Sequence, residues 1–146
     1  MVELEGNLLA HGKPIDKWVG RRRKIIATVN MEELLKKFAR WCALQVIHLW
    51  NVPPVVRKYL QTGNDSLREE AETAAEAAYW AAEGDCVTAR AVTEAAARAA
   101  YWAADEAAIV AAYWAAYCAA EADDNTAKYR EKFEEMVKEA FEKENI

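Results

Sequence analysis

The chain has 146 residues, 53% of them hydrophobic and 29% charged, which suits one domain with its own core and excludes a disordered chain. The net charge of -5 is unevenly spread: residues 1–60 carry 11 Lys and Arg against 5 Asp and Glu, residues 61–120 carry 3 against 10, and residues 121–146 carry 5 against 9. The longest uncharged stretch of the alanine-rich region, Ala107–Ala120, falls short of the ~20 residues a membrane helix needs, so no membrane association is expected. Three cysteines, Cys42, Cys86 and Cys118, with wide gaps and no CxxC, fit reduced thiols in a cytoplasmic protein. The basic run Arg21-Arg22-Arg23-Lys24 interrupts the first thirty residues, so no signal peptide is expected there.

Residues 1–30 form an N-terminal arm of irregular or short elements, with Gly6, Gly12, Pro14 and Gly20 scattered through short apolar pieces. Lys24–Val29 reads equally as strand or helical turn. The run Arg21–Lys24 is a solvated loop or a contact for an acidic surface; one such cluster without a basic face is weak support for nucleic-acid binding. From residue 31 the signals become helical, and residues 31–146 read as one domain. Asn30 with Glu33 forms a capping-box pattern, predicting a helix to about Trp50, where Asn51 and the prolines Pro53 and Pro54 stop it. A short helix follows over Pro54–Leu60, with Gly63 beyond its end. Ser66 with Glu69 repeats the capping-box pattern and opens a helix to Glu83, ending at Gly84. The next helix starts at Asp85 and, with no Gly or Pro inside it, extends to about Ala122 as a long alanine-rich central helix, with a split near Asp105 as the alternative. Asp124 or Asn125 caps a last charged helix, Thr126 to about Lys143. The fold class is therefore all-α, a helical bundle of about four to five helices.

The hexapeptide AAYWAA occurs three times, at Ala77–Ala82, Ala99–Ala104 and Ala111–Ala116. At 100° per residue, Glu69, Glu72, Glu76 and Glu83 form an acidic stripe on the third helix, opposite an apolar face of Leu67, Ala71, Ala74, Ala75, Ala78 and Ala82. Tyr79 and Trp80 flank the stripe, which makes Glu69, Glu72, Glu76, Trp80 and Glu83 the candidate partner-binding residues, since Trp and Tyr are favoured interface anchors. The plainer alternative is glutamates facing water and aromatics covered by a neighbour. On the next helix Arg90, Glu94, Arg98 and Asp105 form a self-neutralising stripe that reads as a solvent face. Trp102, Ile109, Tyr113 and Tyr117 follow a second stripe; Val92, Val110 and Trp114 follow a third. Beyond Asp105 the sequence is apolar nearly all round, so that half is expected to be surrounded, with the second and third AAYWAA copies in the core and Trp102 and Trp114 serving different contacts.

Motifs for chemistry are sparse. The chain has no HExxH, GxGxxG, phosphate-loop or GxSxG pattern. Of two histidines, His48 shares a helical face with Trp41 and Gln45 and reads as a core residue; Cys42, six positions away, lies about 240° around the helix and forms no local nucleophile–base pair with it. Glu69, Glu72 and Glu76 lack the histidines that a carboxylate di-iron site uses. No enzyme activity, metal or cofactor is expected.

The segment Trp41–Trp50 (WCALQVIHLW), the proline-led short helix and the tracts ARAVTEAAARAAYWAADEAA and AAYWAAYCAA resemble the Imm-5-like immunity proteins, small bacterial proteins that neutralise toxins of polymorphic toxin systems. In that family a Cys-Ala step and a Val/Ile-(His/Pro)-Leu step share one helix, followed by alanine-dominated helices with periodic Trp and Arg; here Cys42-Ala43 and Ile47-His48-Leu49 occupy those steps. The similarity covers residues 31–125 and leaves out the basic arm and the last helix. It implies a non-enzymatic cytoplasmic protein whose partner is a cognate toxin, with the acidic stripe as part of the complementary surface. Two other readings stay open: a homodimeric helical scaffold joined through alanine faces, and a small-ligand or peptide receptor with tryptophans walling a pocket.

Overall fold

The computed structural model describes residues 2–15, 17–25, 28–81, 87–105 and 107–143, without the side chains of 2, 87–90 and 92. The fold is mostly helical, preceded by short strands. It divides into two units, residues 1–30 with 141–146 and residues 31–140.

The first unit holds two antiparallel ribbons. Strand β1 (Val2–Glu5) pairs with β4 (Arg22–Ile25), and β2 (Leu9–His11) with β3 (Lys17–Val19). The ambiguous stretch from Lys24 is thus the end of a strand. Register sets Glu3 opposite Lys24 and Glu5 opposite Arg22, whose side chains approach to 3.6 Å. The basic run therefore meets a matching acidic strand, a cross-strand pairing that offsets part of its charge.

The second unit begins with α1 (Glu32–Gln45), one residue later than a cap at Asn30 would place it; the cap is Met31, with no side-chain bond, and Glu32 and Glu33 complement the helix dipole. The helix ends at Gln45 rather than near Trp50, and a 3₁₀ turn over Ile47–Leu49 takes up the remainder. That turn leaves His48 exposed, correcting its assignment to the core. Helix α2 (Pro54–Thr62) has proline in its first turn and ends on Gly63 at φ 63°, whose N–H donates to the Tyr59 carbonyl at 2.7 Å. Glycine is needed there twice over, because a Cβ would also lie 2.6 Å from Cζ of Arg40. Asn64, not Ser66, starts the next segment: its Oδ1 accepts from the Ser66 N–H at 3.1 Å, and a 3₁₀ turn over Asp65–Leu67 leads into α3 (Arg68–Ala81). The expected end of α3 at Glu83 and Gly84, and the start of its successor at Asp85, lie outside the described residues.

The long central helix is replaced by two: α4 (Val87–Ala103) and α5 (Ala108–Asp123). Side chains cause the break without Gly or Pro. Asp105 Oδ1 accepts from the Ala107 N–H at 2.8 Å, a local turn that competes with helix continuation. The last carbonyls of α4 are taken by other elements: Tyr59 donates its hydroxyl hydrogen to Ala103 O at 3.3 Å, and Arg68 Nη1 donates to Ala104 O at 3.4 Å. Helix α6 (Thr126–Lys143) follows a left-handed Asp124, with Asn125 Oδ1 accepting from the Lys128 N–H at 3.2 Å.

The core is built largely from alanine. Ala96, Ala99, Ala100 and Ala103 on α4 and Ala111, Ala115 and Ala119 on α5 are buried, and these two helices pack against each other more extensively than any other pair. Ala71 and Ala75 add the apolar face of α3, while Phe38, Val46, Val56, Tyr59 and Leu60 from α1, α2 and the residue after α1 fill the wider space. Residues this small let helix axes approach closely, and the rings of the second and third AAYWAA copies stay less buried than most of the alanines beside them.

Candidate partner-binding surface

The Tyr-Trp pairs of the three AAYWAA copies sit on three different helices, α3, α4 and α5, with the second pair next to both of the others, which corrects the expectation that Trp102 and Trp114 serve different contacts. Tyr79 and Trp80 of the first copy and Tyr101 and Trp102 of the second line one cleft of about 250 Å³, together with Glu76 and Arg98. Trp102 stacks on Trp114 of the third copy, with centroids 5.7 Å apart and planes 26° from parallel. Trp114 in turn meets Tyr113 and Tyr117 edge-on at 5.1 and 5.8 Å. The turn at Asp105 makes this possible: once α5 is separated from α4, residues twelve apart in sequence lie face to face.

Burial within the second and third copies is the reverse of what size suggests, while in the first copy Ala77 and Ala81 are exposed along with Trp80. Ala99, Ala100, Ala103, Ala104, Ala111, Ala112 and Ala115 are buried, whereas Trp102 and Trp114 are half-buried and Trp80 is 57% exposed. The second half of the expected long helix is likewise not surrounded. Ile109, Tyr113 and Tyr117 are 73%, 64% and 52% exposed along one face of α5. They border a groove of about 700 Å³ between α1, α5 and α6, floored by Ala112, Ala116 and Ala120. Helix α6 closes only its far wall. It is held to α1 by Phe133 against Phe38 (5.1 Å) and Tyr129 against Trp41 (5.7 Å), and to the end of α5 by Lys128 and Tyr129, which donate to Asp123 Oδ2 at 2.8 and 3.1 Å. Those two bonds lower the Asp123 pKa, with burial opposing them.

Of the residues singled out in the sequence, Glu69 and Glu76 are exposed and Glu72 is half-buried, 3.9 Å from Arg68. Glu83 and the side chain of Arg90 lie outside the described residues. Of the described members of the stripe, only Glu72 is partly covered. Burial raises the Glu72 pKa; Arg68 opposes the shift, while Asp105, Glu76 and Glu69 add to it. Tyr101 is raised by burial and then by Glu72, Glu76 and Asp105, so a negative field reaches the aromatic cleft. Arg98 and Glu94, expected to pair, make no ion pair with each other, and both are half-buried rather than on an open solvent face. Residues missed in the sequence are Ile109, Tyr113 and Tyr117. Their i, i+4, i+8 spacing was visible as a stripe, but nothing in it distinguished a covered face from a bare one.

The cysteines offer no activated thiol among the described residues: burial raises Cys42 well above the ordinary range and pushes Cys118 up to about 11. No group of three or more His, Cys, Asp or Glu among the described residues is placed to hold a metal ion, and no described helix is long and apolar enough to cross a membrane. No family model matches the chain, and no curated protein or solved structure matches it either.

Proposed function

We propose that this chain is an immunity protein: a non-catalytic helical bundle of the cytoplasm that binds a cognate toxin and neutralises it. The observation that carries the reading is the aromatic band, in which Trp80, Tyr113 and Tyr117 stay more than half exposed. Leaving large rings in water while alanines fill the core costs stability, which is the pattern of a surface kept for association. The negative stripe Glu69, Glu72 and Glu76 beside the band suits a basic toxin, because charge complementarity speeds encounter and orients the partner. The resemblance of residues 31–125 to the Imm-5-like proteins points the same way.

Co-expression with a toxin from a neighbouring gene tests the proposal, using wild type, the charge reversal Glu69→Lys/Glu72→Lys/Glu76→Lys, and the truncation Tyr113→Ala/Tyr117→Ala. Protection should fall with either set while circular dichroism stays native. Full protection by both folded variants would remove this surface, and with it the support for the reading. A homodimeric scaffold is the second reading, favoured by the same bare face on α5; light scattering at micromolar concentration excludes it if the chain is monomeric.

A further inference from the structure

The cleft between α3 and α4 has features that a flat protein contact does not require. Its walls are two Tyr–Trp pairs, each close to perpendicular: Tyr79–Trp80 with centroids 4.8 Å apart at 66°, and Tyr101–Trp102 at 5.0 Å and 67°. Perpendicular neighbouring rings form a corner that presents one face and one edge, and a cleft lined by two such corners can act as a cage, since a ring face attracts a cation within about 6 Å. Its volume of about 250 Å³ suits a molecule of a few heavy atoms with some water.

The charged lining is one carboxylate and one guanidinium, Glu76 from α3 and Arg98 from α4. Neither makes an ion pair among the described residues. Arg98 is half-buried and lines the cleft, with no carboxylate partner among the described residues. A ligand with only a positive charge would meet the rings favourably but Arg98 unfavourably. One with only a negative charge would meet Arg98 but also Glu76 and the aromatic faces, which repel anions.

We propose that this cleft binds a small zwitterion, an ammonium joined to a carboxylate by one or two carbons. The ammonium lies among the rings beside Glu76, and the carboxylate lies on Arg98. Each lining group then has a partner: ring faces and Glu76 for the cation, the planar guanidinium for the anion. A quaternary ammonium gains most, because it is weakly hydrated and fills the cage. The cleft shares Trp80 and Glu76 with the surface proposed to meet the toxin, but ligand binding is read separately from neutralisation.

The test is titration of ¹⁵N-labelled protein with glycine betaine and with choline, which shares the cationic head but lacks the carboxylate. The readout is the indole N–H signals of Trp80 and Trp102, assigned through Trp80→Phe and Trp102→Phe. Betaine should shift both signals saturably. Choline should bind roughly tenfold more weakly or worse, as expected for loss of a hydrogen bond to a charged group. Arg98→Ala should bring betaine down to the level of choline. Trp80→Ala, at an exposed position that leaves folding intact, should weaken both ligands. The proposal is overturned by no saturable shift with betaine, by equal affinity for choline and betaine in the wild type, by an unchanged preference in Arg98→Ala, or by unchanged affinity in Trp80→Ala. None of these results bears on neutralisation, which is read by cell survival.

Discussion

The two sides of α5 are made from the same few residue types and behave oppositely. Ala111, Ala115 and Ala119 are fully buried in the core, where α5 packs on α4 and α1; Ala112, Ala116 and Ala120, although Ala112 is itself buried, floor an open groove rimmed by Ile109, Tyr113 and Tyr117. Spacing does not separate the two, since both are i, i+4, i+8 rows of alanine. What separates them is whether a second row of small residues lies opposite. Helix α4 supplies one, with Ala96, Ala99, Ala100 and Ala103, whereas α6 offers Tyr129, Arg130 and Phe133, too bulky to come as close. A small-residue face therefore makes its most extensive contact where its neighbour is also thin.

The largest expected effect breaks the closed side. Ala115→Leu adds three carbons where no space remains and should destabilise the protein by ~1–3 kcal/mol or more in urea unfolding. Removing a whole ring on the open side, Tyr113→Ala, should stay within about 0.5 kcal/mol. If the two changes prove equal in cost, the contrast between the faces fails.

A middle-sized effect tests what sets the faces apart in the first place. Asp105→Ala removes the acceptor for the Ala107 N–H and should cost ~0.5–2 kcal/mol, the range for losing a helix cap. If the break also aligns the aromatic copies, the near-ultraviolet circular dichroism of the Trp102–Trp114 stack should weaken with it.

The smallest effect has the opposite sign. The Glu72 carboxyl has a folded-state pKa above its unfolded value, first because of burial and then because of like charges, so at neutral pH its charge works against folding. Glu72→Gln should raise stability by ~0.5 kcal/mol or less, given the exposure of the site. The stability difference between variant and wild type should shrink as pH falls through the raised pKa and the native carboxyl becomes protonated.

Helix positions with strong punctuation were legible in the sequence: Pro54 and Gly63 bracket α2, and Asn125 starts α6. The break at Asp105 was visible only as an alternative, because it depends on Tyr59 and Arg68 arriving from elsewhere to take the carbonyls of Ala103 and Ala104. The same limit affected the site. The acidic stripe on α3 could be drawn from angles alone, yet its facing Tyr101 could not. The aromatic stripe of α5 was drawn correctly and assigned to the interior, because apolar character does not say which neighbour comes near. His48 was misplaced for a local reason: the helix tightens into a 3₁₀ turn just before it, which rotates the ring out of the expected face.

The alanine interior also changes the entropy of folding. A leucine loses about 0.5–1 kcal/mol of rotamer freedom when it enters a core, and an alanine loses none. The alanine part of the α4–α5 contact is thus assembled without freezing side chains, and it has no alternative rotamers to explore; only rings such as the stacked Trp102 and Trp114 lose rotamer freedom there. It behaves as backbone laid on backbone, a rigid frame whose residual freedom resides in the rings outside it.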